Sequence, residues 1–127
     1  MMKKILNTAK APAAIGPYAQ GTCAGNMVFV SGQLPIDPAT GAFPEGGIGA
    51  ETRQSMENIA AILAEAGCTL ADIVKTTIFL RDLNDFAAVN AAYAEFFPEN
   101  PPARACVQVA RLPKDANVEI EAIAVKA

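Results

Sequence analysis

Hydrophobic and polar positions along the chain recur with two different periods, and the switches between them divide it into strands and helices. Residues 1–17 end in Ala11-Pro12-Ala13-Ala14-Ile15-Gly16-Pro17, where two prolines and a glycine disfavour regular structure, so the chain starts as an extended arm. A strand from Tyr18 to Cys23, the turn Ala24-Gly25-Asn26 and a β-branched and aromatic run from Met27 to Gly32 predict a hairpin. A glycine- and proline-rich loop then leads into a helix over 50–66. Met56, Ile59, Ala60 and Leu63 fall at helical spacing, Glu51 stands in its first turn, and Gly67 caps its end. From Ile73 to Arg81 both faces are largely apolar, as in an interior strand, and this predicts the centre of the sheet. Asp82-Leu83-Asn84-Asp85 supplies capping residues for a second helix, whose buried stripe is Phe86, Val89, Tyr93, Phe96 and Phe97 and which stops at Pro98.

Two strands complete the chain. Behind Pro101-Pro102, the residues Ala105, Val107 and Val109 alternate against Arg104, Cys106 and Gln108, the pattern of a half-buried strand. Over Val118–Val125, Ile120, Ala122 and Ala124 suit packing beneath helices, while Glu119 and Glu121 share the other face with Ile123 and Val125. Hairpin, helix, strand, helix, strand, strand predicts a single domain over residues 1–127, an α+β two-layer sandwich with both helices on one face of the sheet. The other face carries Phe29 and Ile123 and needs covering, for which closed cyclic association is the usual solution.

Composition narrows the chemistry. Apolar residues make up 52% of the 127 and charged residues 18%, a high apolar load that fits burial against another subunit. The net charge is −3, so the long-range field repels phosphate backbones, and nucleic acid is a poor partner. The absence of histidine removes a Ser-His triad and the commonest metal ligand, and no metal site is expected. Cys23, Cys68 and Cys106 are odd in number and lack metal-knuckle or redox spacing, which fits a reduced, cytoplasmic protein. No apolar run approaches the ~18 residues of a membrane-spanning helix, and no membrane association is expected.

The candidate chemistry gathers at Arg104, where a guanidinium stands at the mouth of an otherwise apolar strand. Its planar fork suits a bidentate grip on a small carboxylate. A structural ion pair is the simpler account of the residue taken alone, and the sequence leaves both open. Ser31-Gly32 closes a strand with a hydroxyl beside a residue that lets a ligand come close, although turn chemistry also explains the pair. Asn90 lies one residue off the buried stripe of its helix, at a boundary or on the surface. The glycines of Gly46-Gly47-Ile48-Gly49 lack the Lys-Ser/Thr pair of a phosphate loop.

The motifs Gly16-Pro17-Tyr18, Val30-Ser31-Gly32-Gln33, Val74-Lys75-Thr76-Thr77, Asn84-Asp85-Phe86, Val89-Asn90-Ala91-Ala92-Tyr93, Pro102-Ala103-Arg104-Ala105-Cys106-Val107 and Val118-Glu119-Ile120-Glu121-Ala122 occur in one order along the chain. Together they resemble the reactive intermediate deaminase (RidA, or YjgF) family over essentially the whole length. The resemblance implies a chorismate-mutase-like fold with one mixed sheet, a homotrimer with clefts between subunits, no cofactor, and hydrolysis of 2-imino acids to 2-oxo acids and ammonia. By motif, Arg104 binds the substrate carboxylate, Tyr18, Ser31, Gly32 and Asn90 line the cleft, Cys106 lies beside the substrate, and Glu119 holds or activates water. Ala105 follows the arginine where some members have serine, and the loop from Pro98 to Pro102 is shorter than in some relatives.

Hydrolysis of an imine needs only modest acceleration, from holding water and the imine carbon in line and stabilising developing charge, so neither histidine nor metal is required. Cys106 as a covalent nucleophile lacks a base to form its thiolate. If the last two strands run antiparallel, Arg104 and Glu119 lie at opposite edges, about 15 to 20 Å apart at ~3.3 Å per residue, so the arginine of one chain would meet the glutamate of a neighbour. A non-catalytic small-molecule-binding or chaperone-like trimer is the alternative. RNA cleavage, a label attached to some relatives, fits poorly with the acidic chain and its lack of histidine.

Overall fold

The computed structural model describes residues 2–127. Its strands are β1 Lys4–Leu6, β2 Gly21–Ala24, β3 Met27–Gln33, β4 Ile73–Leu80, β5 Ala103–Gln108 and β6 Val118–Val125, and its helices are α1 Gly47–Ala64 and α2 Phe86–Ala94. The strands form one sheet in the order β1-β2-β3-β6-β4-β5. Only β4 and β5 run parallel, joined across α2 as a crossover connection requires, and every other pair is antiparallel. This is the expected α+β sandwich.

Alternation along β6 decides which face each helix covers. Val118, Ile120, Ala122 and Ala124 are buried in one core with Val28 and Val30 of β3, Ile78 and Leu80 of β4, Met56, Ile59, Ile62 and Leu63 of α1, and Val89 and Tyr93 of α2. Each buried valine, leucine, isoleucine or methionine among them contributes roughly 1.5–3 kcal/mol when removed from water, and each alanine less. Gly21 lets α1 sit close to the sheet, since a Cβ there would stand 2.8 Å from the Cγ2 of Ile62. Of the buried polar residues of α1, Asn58 and Glu51 are partnered by side-chain hydrogen bonds, whereas the Ser55 hydroxyl has no partner among the described residues. Asn58 donates to the carbonyls of Leu34 and Ile36, and Asn117 donates to both oxygens of the buried Glu51.

Several expectations are corrected. The hairpin begins at Gly21 rather than Tyr18, and the arm contains the short strand β1 paired to β2. Gln20, buried, fastens that arm: its amide donates to the carbonyls of Thr8 and Pro12 at 3.0 and 2.7 Å and accepts from the Thr8 N–H at 2.7 Å. The middle of the sheet is the β3·β6 pair, and β4 is one strand in from the edge. Its Thr76, Ile78 and Leu80 are buried, whereas Lys75, Thr77 and Phe79 are only half-buried on the helix-free face. Helix α1 starts at Gly47, which places Glu51 beyond the first turn. On α2, Phe86 is exposed, Phe96 and Phe97 beyond its end are half-buried, and Ala92 takes a core position. On β5, the half-buried residues are Arg104 and Cys106, and Ala105 and Val107 face out. An edge strand packed on one side against a short helix exposes its apolar row on the other.

Candidate functional site

Register across the sheet separates the sequence-predicted site residues into two groups on opposite faces. Arg104 pairs with Thr76, and Thr76 pairs with Ala122, all with side chains on the helix side. Glu119 pairs with Phe79 on the helix-free face. Three residues along β6 and two strand spacings separate Arg104 and Glu119 by about 14 Å between backbones, slightly under the distance expected from sequence. The sheet itself stands between them.

The first group is organised by α2. Asn90, half-buried, accepts a 2.7 Å hydrogen bond from the Nη1 of Arg104, and the guanidinium carbon lies 5.6 Å from the Phe86 ring centroid and 5.1 Å from that of Tyr93. No carboxylate lies within 4 Å of Arg104 among the described residues; the ion pairs are Arg53–Glu95 and Arg111–Asp115. The structural ion pair left open by the sequence is therefore absent among the described residues. A half-buried guanidinium held by one neutral oxygen and two aromatic faces keeps its charge and most of its donors for another anion. Cys106 lies two residues on, on the same side of β5, where burial raises its pKa and Arg104 lowers it only in part. It is a thiol lining the group, and its environment does not create a thiolate nucleophile.

The second group lines a cleft of about 470 Å³ on the helix-free face, into which Tyr18, Ser31, Gly32 and Glu119 all open. A register shift between Val30 and Gln33 frees Ser31 and Gly32 from the β3·β6 ladder. Such a bulge re-aims a strand beside a site. The Ser31 hydroxyl donates to the Ala19 carbonyl at 2.6 Å and its N–H to the Gln20 carbonyl at 2.9 Å, so the bulge anchors the loop carrying Tyr18. Tyr18 is half exposed, and its hydroxyl accepts from the Ile15 N–H. Gly32 lies under the Glu119 side chain: a Cβ there would stand 2.8 Å from the carboxyl carbon.

The sequence alone did not choose between Glu119 and Glu121. Both line the cleft, but Glu119 is half-buried and Glu121 exposed. Burial, and after it the charge of Glu121, raises the pKa of Glu119 above its ordinary value, the direction that makes its carboxylate a better proton acceptor. Sequence reading missed the apolar walls of the cleft, Ile15, Leu34, Phe79 and Pro113. The apolar second face of β4 and the proline of the loop before β6 were signals for Phe79 and Pro113, whereas Ile15 and Leu34 lie outside the strands, where no periodic pattern marks them. A larger groove of about 560 Å³ adjoins it along the arm, but its one charged residue is Lys114 and it holds no acid or base pair. The described residues contain no cluster of three or more metal-ligating side chains.

Residues 8–126 match the family model described as Endoribonuclease L-PSP. The chain is 62% identical to a RutC family protein of Haemophilus influenzae over 130 residues, covering 99% of both chains. It is 59% identical over 128 residues to a protein of Salmonella typhimurium named 2-iminobutanoate/2-iminopropanoate deaminase, covering 98% of this chain and 99% of the relative. Among solved structures, Escherichia coli TdcF with bound serine superposes with a TM-score of 0.93 at 52% identity, over 98% of this chain and 99% of that one.

Proposed function

This chain belongs to the endoribonuclease L-PSP family, and on that premise we propose that it is a deaminase hydrolysing 2-iminobutanoate and 2-iminopropanoate to 2-oxo acids and ammonia. The observation that carries the reading is Arg104, immobilised by Asn90 and two rings yet without an acid of its own. A fixed fork of that kind matches the carboxylate of a small 2-imino acid. The similarity to relatives named as deaminases, and to one that binds serine, itself a small carboxylate, supports the same class of ligand.

In the proposed site, Arg104 of one protomer meets the Glu119 cleft of the next in a cyclic homotrimer. The helix-free face favours such closure, because Phe29 and Val107 stand 40% and 43% exposed on it. Arg104 holds the carboxylate, and Asn90, Cys106, Tyr18 and the Ser31-Gly32 backbone wall the pocket. Glu119 takes a proton from water as the oxygen bonds to the imine carbon and the C=N electron pair moves to nitrogen. Glu119 returns that proton to the nitrogen to give the neutral carbinolamine, then takes the hydroxyl proton as the oxygen forms the C=O bond and delivers it to the nitrogen as the C–N bond breaks, so ammonia leaves carrying both protons of the water. RNA cleavage, the activity in the family's name, finds less support here, since the cleft presents two acids rather than a basic groove.

The reading is tested by measuring ammonia and 2-oxo acid from freshly generated 2-iminobutanoate. Protein should release both in equal amounts well above the buffer rate. Release at the buffer rate, with pyruvate still bound, would leave the non-catalytic binding protein. Gly32→Ala is expected to push the Glu119 carboxyl out of line and lower kcat roughly ten- to a hundredfold, with the melting temperature nearly unchanged. Kinetics together with a thermal melt of the variant check this.

A further inference from the structure

Thr76 is the β4 residue paired directly with Arg104, and its hydroxyl lies 2.7 Å from the hydroxyl of Tyr93 in the buried layer between sheet and helix. Tyr93 is 6% exposed, its ring stacks in a tilted pair with Phe97 at 4.9 Å, and its face supports the Arg104 guanidinium at 5.1 Å. One rung of the sheet thus fixes both ends of the arrangement: the backbone that carries the arginine and the ring on which its charge rests. We propose that the Thr76–Tyr93 hydroxyl pair is the positioning device for Arg104, holding the guanidinium ready for a substrate carboxylate. This rests on the reading of Arg104 as the carboxylate-binding group and adds the residues that aim it.

The physical reason is the entropy of arginine. A long side chain with many rotamers must be ordered before its fork can grip two oxygens, and ordering it at the moment of binding weakens affinity. Asn90 holds one nitrogen only, which leaves the chain free to swing about that bond. The Tyr93 ring removes this freedom by attraction to the face of the cation, and the Thr76 hydroxyl prevents the ring itself from sliding along the sheet. No acid takes part, so the charge remains available to the ligand.

The test is binding of pyruvate and 2-oxobutanoate by calorimetry, with kcat and KM for the imine, in Tyr93→Leu, Tyr93→Phe, Thr76→Val and the Thr76→Val/Tyr93→Phe double variant. Tyr93→Leu should weaken binding and raise KM about tenfold, with kcat within about twofold, because the carboxylate grip is shared by ground and transition states. Tyr93→Phe keeps the ring and should rescue most of that loss, leaving an effect of about threefold. Thr76→Val should match Tyr93→Phe, and the double variant should be no worse than either single one. A purely structural role would lower melting temperature without this pattern of ring rescue and coupling. Should Tyr93→Leu fail to fold, the three milder variants decide: unchanged binding in all of them overturns the inference. Wild-type protein that binds no 2-oxo acid overturns the reading of Arg104 and this inference with it. Wild type that binds while Tyr93→Leu binds equally well overturns this inference alone.

Discussion

Arg104→Ala is expected to lower kcat/KM for 2-iminobutanoate by at least about a hundredfold, because the variant loses a bidentate, charge-assisted contact in a partly desolvated place. Arg104→Lys keeps the charge but not the fork. It should recover only part of the loss, since an ammonium can neither grip both oxygens nor rest flat on Tyr93 and Phe86. Folding should survive both substitutions, because the side chain is half-buried and bonded only to Asn90. The same change has a distant electrostatic effect if the site lies between subunits. Within one chain the sheet and about 14 Å separate Arg104 from Glu119, and removing the arginine should scarcely alter the glutamate. Across an interface the guanidinium favours the ionised carboxylate, so its removal should raise the Glu119 pKa further. Carboxyl-carbon NMR of wild type and Arg104→Ala, read alongside the kinetics, distinguishes the two.

The sheet was legible from alternation wherever one face is buried and the other is not. On β6, the set Ile120, Ala122 and Ala124 against Glu119 and Glu121 assigned both faces correctly. Alternation misled at the edge. On β5 the apolar residues Ala105 and Val107 face outward and Arg104 inward, because the helix above this strand is short and offers a cation-binding pocket rather than a core. Strand β1 was invisible because three residues are too few to show a period and its pairing is with β2, across the whole of the arm that follows, while that arm is fastened by the buried Gln20 amide through contacts no local pattern carries. Glu51 shows the same limit: it was read as a helix-terminal charge, and the structure buries it against Asn117, a residue 66 positions away.

The candidate site was legible as a set of residues and not as a geometry. Asn90, read as lining one cleft with Tyr18, Ser31 and Gly32, instead bonds Arg104 on the helix side with Cys106 nearby, while Tyr18, Ser31, Gly32 and Glu119 line a cleft on the opposite face. Motif order cannot reveal that, whereas strand parity nearly does. The separation expected from antiparallel strands already kept arginine and glutamate apart, and the register adds that no side-chain rotation in one protomer can unite them. The bulge at Ser31-Gly32 and the apolar walls Leu34, Phe79 and Pro113 emerge only once the strands are paired.

The second large effect is expected for Glu119→Gln, which keeps the shape of the side chain and removes its proton exchange. The loss should be about a hundredfold or more in kcat, with pyruvate binding largely retained because Arg104 is untouched. Each variant alone is then inactive for a different reason, and each retains the half of the site that the other lacks. This permits a direct test that the active site is shared between neighbouring protomers: Arg104→Ala and Glu119→Gln chains are co-expressed or unfolded and reassembled together, and imine hydrolysis is measured on the mixed oligomers. Random assembly in equal amounts gives one interface in about four an intact arginine facing an intact glutamate. Mixed oligomers should therefore recover up to about a quarter of wild-type activity, far above either parent. Mixed assemblies verified by mass that remain as inactive as their parents, or a verified monomer with full activity, would contradict a shared site.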